Sequence, residues 1–331
     1  VTLHWILGRC DSLRAEVFLL AGIPDGVDPA DVTITGALTG PKCRRAITLP
    51  VTAKLVVMPA GPEATPTRTV VARAILTEPS YWTPELPSLY RLDARLVAEG
   101  REIARVQRVV GLRRFGVRGR SFWLDGRRAV PRGIVLPEPS VDVDRFREAA
   151  LAAVVADPSE NVLDRCDAEG VAVIGLLADA DGQPLDAEAA AARITRWAWH
   201  AAVLMAVVSK DAPSDAITMI ASETRRRRGT LLVAQEVDGS LPPPEGVQAA
   251  DAVVVSLAVH AVPHPAWRAA SPKLPLIARR AEPPAFTTTT PSRRECDVLQ
   301  ATLAAWSSAE RADAIAWDWA GYCVDLQVPG T

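Results

Sequence analysis

With 37 Lys plus Arg against 39 Asp plus Glu, the 331-residue chain has a formal charge of −2, so no net field draws it to nucleic acid or acidic lipid. Hydrophobic residues at 49% and charged residues at 23% exclude a disordered or membrane-embedded chain and leave enough apolar material for two modest cores. The longest apolar run, 201–208, falls far short of the roughly 20 residues of a membrane helix, so no membrane insertion is expected. No basic leader, long apolar segment or cleavage site opens the chain; a signal peptide is expected to be absent or already removed. Val1 in place of Met suggests a processed or incomplete start, which leaves the compartment open. Five cysteines fit reduced thiols better than a disulfide framework, Cys10 with Cys43 being the one pair kept open.

From residue 1 to 117 the signals are short apolar runs at 15–20, 32–34, 46–55, 69–76 and 90–97, separated by Gly, Pro and Asp clusters. That spacing predicts a β-sandwich. The stretch PAGPEATP at 59–66 cannot supply ladder donors at its prolines and predicts an exposed hairpin loop.

The grammar changes after Phe115. Runs rich in Val, Ile, Leu and Ala now alternate with Ala- and Arg-rich helical patterns, which predicts βα units and a parallel sheet. The runs fall at 129–135, 152–156, 171–177, 203–208, 231–235, 252–257, 275–278 and 314–319, the number that closes a (β/α)8 barrel over 118–331. That leaves about 210 residues, at the lower limit for this fold, so helices and loops must be trimmed. The arginine run 225–228 reads as a solvated helix end, and the proline run 242–244 and threonine run 287–290 as loops.

His260 and His264 have the spacing of a helical metal pair, but Pro263 and Pro265 forbid a regular helix and no third ligand is evident. Nucleotide-binding glycine loops, a nucleophile elbow and paired redox cysteines are all missing from the sequence, so no cofactor or metal is expected. Trp197 and Trp199, two apart on a predicted helix, cannot share a face; at least one should pack against a neighbouring domain or chain.

The junction between the two regions is the most informative stretch: WTPELPSLY at 82–90, VGLRRF at 110–115, FWLDG at 122–126 and RGI at 132–134. Prolines 84 and 87 around Glu85 predict a bend before an edge strand, and Asp125–Gly126 a two-residue hairpin turn. In order and separation these segments resemble glycoside hydrolase family 2, the β-galactosidases, β-glucuronidases and β-mannosidases. The resemblance implies an immunoglobulin-like sandwich followed by a (β/α)8 barrel, without the jelly-roll domain that normally comes first. It extends to LDRCDAEGVAVI at 163–174, similar to the family's helix and third barrel strand, and to AIAWDW at 314–319, similar to its eighth. An aromatic at the first of the two Trp positions there floors the family's sugar site, so Trp317 and Trp319 are candidate stacking residues.

Catalysis of the retaining kind needs two carboxyl groups about 5 to 5.5 Å apart. The family's acid/base Glu follows an Asn at the end of the fourth strand; the matching segment here, HAAVLMAVVSKD at 200–211, puts Lys210 at the Asn and Asp211 at the Glu. An adjacent lysine would hold Asp211 ionised unless it points away. The family's nucleophile closes the seventh strand, and KLPLIARRAE at 273–282 puts Arg280 there, a guanidinium with no lone pair to attack with. A register shift would recruit Glu282. After strand one only Glu138 survives of the family's R-G-V-N-x-H-E, and after strand two its S-H-Y-P has become ADP at 156–158.

Concerted change around the rim where barrel enzymes place their chemistry predicts a catalytically degenerate relative, kept as an interaction or structural module within a protein complex or larger assembly, with residual carbohydrate binding through Trp317, Trp319, Asp157 and Asp211. The competing expectation is an active β-glycosidase that pairs Asp211 with Glu282, Glu236 or Asp157.

Overall fold

A computed structural model describes residues 1–58, 68–136, 141–179, 181–213, 216–220, 222, 231–245, 247, 250–281, 292–308 and 317–325. The expected loop at 59–66, Glu138, the arginine run 225–228, Glu282, the threonine run 287–290 and residues 314–316 lie outside them.

Two four-stranded antiparallel sheets form the amino-terminal sandwich. One has the order β1 (Thr2–Cys10), β2 (Arg14–Gly22), β6 (Thr69–Thr77), β5 (Val56–Val57); the other runs β4 (Val51–Lys54), β3 (Val32–Lys42), β7 (Leu89–Ala98), β8 (Arg101–Gly111). Inward residues two apart, such as Val17, Leu19, Leu38, Ala72, Leu92 and Leu96, build its core. Three features differ from the expectation. Strand β1 is broken in pattern by His4, Gly8 and Arg9, and β8 is an edge strand whose charged side chains face water, so neither announces itself in the sequence. Strand β7 is central, lying between β3 and β8, and the Pro84–Pro87 bend therefore precedes an interior strand instead of an edge.

A three-stranded sheet of β9 (Phe115–Arg118), β10 (Ser121–Leu124) and β11 (Arg127–Ala129) links the domains. Its second turn is the expected Asp125–Gly126 pair, both at positive φ (47° and 79°), with Leu124 opposite Arg127. Phe122 is wholly buried against the barrel interior.

The eight parallel strands of the barrel close in chain order: β12 (Arg132–Val135), β13 (Ala152–Ala156), β14 (Val173–Leu176), β15 (Val203–Val208), β16 (Leu232–Asp238), β17 (Ala252–Leu257), β18 (Leu276–Ala281) and β19 (Gly321–Asp325). Period-two alternation sends Val135, Val154, Ile174, Met205, Ala234, Ile277 and Cys323 inward, while Ile134, Val155, Val233, Val255, Ala278 and Val324 pack outward against helices. The trimming is partial: helix α1 (Val143–Glu148) has six residues, the described residues between β16 and β17 hold no helix, and a single turn, Ala266–Ala269, precedes β18, whereas α2 (Glu160–Glu169), α3 (Ala187–Trp197) and the helix Arg293–Ser308 before β19 run to 10, 11 and 16 residues.

The eighth strand is not the expected 314–319 run. It is Gly321–Asp325, which pairs with β12 and β18. Trp317 and Trp319 precede it: the Ala320 amide donates to the carbonyl of Leu276, the first residue of β18, which fixes this segment at the amino-terminal end of the barrel. There the two indoles pack edge to face, 5.1 Å between centroids, both buried.

Candidate functional site

The carboxyl-terminal mouth of the barrel is where βα loops converge and where barrel proteins assemble chemistry. Three strands carry their inward alternation one step beyond the apolar layer and place charges there. Glu236 follows Ala234 on β16, Arg279 follows Ile277 on β18, and Asp325 follows Cys323 on β19. Arg279 Nη1 lies 3.1 Å from Glu236 Oε1, and its Nε and Nη2 grip Asp325 side-on at 2.9 and 2.7 Å. Burial alone would lower the Arg279 guanidinium, but Asp325 and then Glu236 outweigh it and hold it above its usual range. Glu236 is 7% exposed, so one guanidinium spans two carboxylates within the barrel wall.

The expected site residues are arranged differently. Arg280, expected at the nucleophile position, alternates with Arg279 and shares the outward side of β18 with Ala278, opposite Leu257 and Val324; the cation that enters the mouth is Arg279. Asp211 sits three residues past β15, its side chain 66% exposed, with Lys210 Nζ 3.0 Å from each carboxylate oxygen. The neighbouring lysine therefore turns onto Asp211, and Asp211, then Glu236 and Asp238, raise the ammonium above its usual value. Asp157 follows β13 at φ 46° and is held by Arg193 (3.1 Å) and Arg196 of α3. The structure thus gathers Asp211, Lys210 and Glu236 about one mouth and gives Asp157 to a helix. Trp317 and Trp319 lie at the opposite end of the barrel from this mouth, which removes them from it as stacking residues.

The remaining candidates resolve into structural roles. All five cysteines are free thiols, so Cys10 and Cys43 are not bridged. His264 Nδ1 accepts from the Ala266 amide at 3.2 Å and starts the helical turn, while His260 is exposed at φ 57°. Trp197 is sealed in the barrel core, and Trp199, just past the end of α3, crosses to the sandwich and stacks on Trp5 at 6.0 Å.

Long-range contacts that sequence reasoning did not pair hold the two domains together. Trp82 donates its indole N–H to the Asp167 carbonyl at 2.8 Å. Arg113, buried at the junction, donates to the carbonyls of His200, Ala201 and Val203, and burial lowers its guanidinium to about 10. Behind these contacts, within the barrel, Asp167 pairs with His200 Nδ1 (2.8 Å) and accepts from the Ala202 amide (2.6 Å), and burial raises its carboxyl above the usual range. Gly170, which ends α2 at φ 74°, sits against the carbonyl of Pro84, where any Cβ would lie 2.2 Å from that oxygen. The signal available in sequence was the Gly-Val-Ala-Val segment after α2 and the His200 position. Neither names its partner across the domain boundary.

A β-sandwich joined to a closed eight-stranded parallel barrel is the architecture of the glycosidases that the junction segments resemble. Residues 30–113 match the family described as Glycosyl hydrolases family 2, and the fold of the whole chain is that of this family's solved members. The Bacteroides uniformis β-glucuronidase superposes with a TM-score of 0.62 at 13% identity over 97% of this chain and 45% of that one. The Parabacteroides merdae β-glucuronidase gives 0.61 at 13% over 98% and 46%. A glycosyl hydrolase family 2 member from Bacteroides cellulosilyticus gives 0.61 at 12% over 98% and 45%. The chain therefore spans less than half the length of each of these structures. No curated protein matches it.

Proposed function

We propose that this protein is a catalytically degenerate relative of family 2 glycosidases, kept as an interaction or structural module. The observation that carries the reading is Arg279 set between Glu236 and Asp325 in the barrel mouth. Retaining hydrolysis requires one carboxyl group free to attack and a second free to deliver a proton. Here Glu236 and Asp325 are committed to a guanidinium, and both oxygens of Asp211 lie under the Lys210 ammonium. An interaction role draws further support from the cleft between the sandwich and the amino-terminal end of the barrel, bordered by Ile47 and Leu49, which stand almost fully in solvent, and by Leu86 and Val51. Carbohydrate binding belongs to this proposal only at the mouth, through Asp211 and its neighbours.

An active β-glycosidase is the second reading, favoured by one observation: Asp211 follows β15 and Glu236 lies on the adjoining β16, where Val208 pairs with Gln235, so both stand at the same end of the barrel. Aryl galactosides, glucuronides and mannosides separate the two. Degeneracy predicts no release of the phenol above buffer; release that Asp211→Asn abolishes would establish the enzyme.

A further inference from the structure

We propose that His200 is a pH-sensitive latch between sandwich and barrel: its imidazolium ties Asp167 to Glu160 at the junction, and loss of its proton frees Glu160 and with it the ionic link to Arg108. The ring is buried, with Nδ1 2.8 Å from Asp167 Oδ2 and Nε2 3.2 Å from Glu160 Oε2. A carboxyl group at each ring nitrogen favours the imidazolium, which donates from both; burial raises the Asp167 carboxyl, against the opposing pull of His200 and the Ala202 amide. Burial by itself would lower the imidazole, but Asp167 and then Glu160 outweigh it and raise the ring above its ordinary range.

The groups around the ring are on the page. Helix α2 contributes Glu160, Asp167 and Asp164, whose carboxylate lies 3.8 Å from Nδ1. From α3, Arg196 reaches Glu160 at 3.7 Å. From the sandwich, Arg108 of β8 reaches Glu160 at 3.3 Å, and Arg113 donates to the His200 carbonyl at 3.4 Å. Arg108 also lies 5.2 Å over the ring of Trp199, the indole stacked on Trp5. The ionic chain from Asp167 through His200 to Glu160 lies within the barrel domain and reaches the sandwich through the Glu160–Arg108 pair.

The two ends of that chain respond differently to deprotonation. Asp167 is enclosed and its second oxygen is pinned by the Ala202 amide, so the remaining proton stays on Nδ1. Nε2 then turns a lone pair toward Glu160 Oε2, an acceptor facing an acceptor. Glu160 keeps 43% of its side chain in solvent and can turn away from Nε2. Because the folded-state value is raised, the stabilisation is complete below the ordinary histidine range and is lost as pH rises through the raised value.

Two measurements test the latch. Side-chain nitrogen NMR should show His200 doubly protonated at neutral pH and losing its proton above the ordinary histidine range. Melting temperatures of the wild type, Glu160→Gln, Arg108→Gln and the double variant, taken from about pH 6 to about pH 9 around the histidine range, should give a coupling between Glu160 and Arg108 at the acidic end that is lost at the alkaline end. A His200 ring that carries a single proton at neutral pH, or a coupling that holds constant across the range, overturns the proposal.

Discussion

Replacing Arg279 by leucine isolates the ionic clasp in the barrel mouth. The substitution leaves Glu236 and Asp325 facing each other with side-chain exposures of 9% and 26% and no cation between them. Removing one partner of a buried ion pair costs roughly 3–5 kcal/mol; partial exposure returns some of this, and we expect a loss of about 2–4 kcal/mol. For a domain of this size 1 kcal/mol moves the melting temperature by about 2–4 °C, so Arg279→Leu should melt roughly 5–15 °C lower. Circular dichroism at the helical band reads the barrel transition. Converting Glu236 and Asp325 to leucine as well removes every charge of the clasp and should restore most of the loss, because apolar replacement of a whole buried ionic group is close to neutral. A melting temperature unchanged in Arg279→Leu, or a triple variant no more stable than the single one, would refute the assignment.

Other residues give independent checks. Gly170→Ala places a methyl group against the Pro84 carbonyl at a left-handed position, and should cost at least the roughly 1 kcal/mol of the backbone term in a urea titration, with the excess reporting the domain contact. Trp82→Phe keeps the ring but loses the donor to the Asp167 carbonyl and should cost about 1 kcal/mol, against about 3–5 kcal/mol for Trp82→Ala. Cys10 and Cys43 are half-buried whereas Cys166, Cys296 and Cys323 are buried, and burial pushes the Cys166 and Cys296 thiols up to about 12. Burial raises the Cys10 thiol as well, so a thiol-disulfide reagent at neutral pH should titrate Cys43 first and Cys10 more slowly in the native protein, and all five in denaturant.

The sequence carried the barrel because buried parallel strands are written as short Val, Ile and Ala runs that local composition can locate. The eighth strand was misplaced for the same reason. The Trp317 and Trp319 segment is richer in strand formers than Gly321–Asp325, and only the pairing of Tyr322 with Ala278 and Arg132 selects the latter. Arg280 was expected in the mouth because the resemblance fixes a position along the chain but not the parity of the strand. Inward Ile277 two residues before Arg279 sets that parity in the fold. The Asp125–Gly126 turn was legible because its chemistry is local. The junction of Asp167 with His200, 33 residues apart, and of Arg113 with the carbonyls of His200, Ala201 and Val203 was not, because such pairs form only when helix α2, the segment leading into β15 and the sandwich meet.

The most direct test of the central claim, that the barrel mouth lacks a working carboxylate pair, is intact-protein mass spectrometry after incubation with activated 2-deoxy-2-fluoro glycosides. These reagents trap the glycosyl ester that a retaining nucleophile must form. The account predicts an unchanged mass at every sugar configuration. A single added glycosyl unit mapped to Glu236, Asp325 or Asp211 would contradict it.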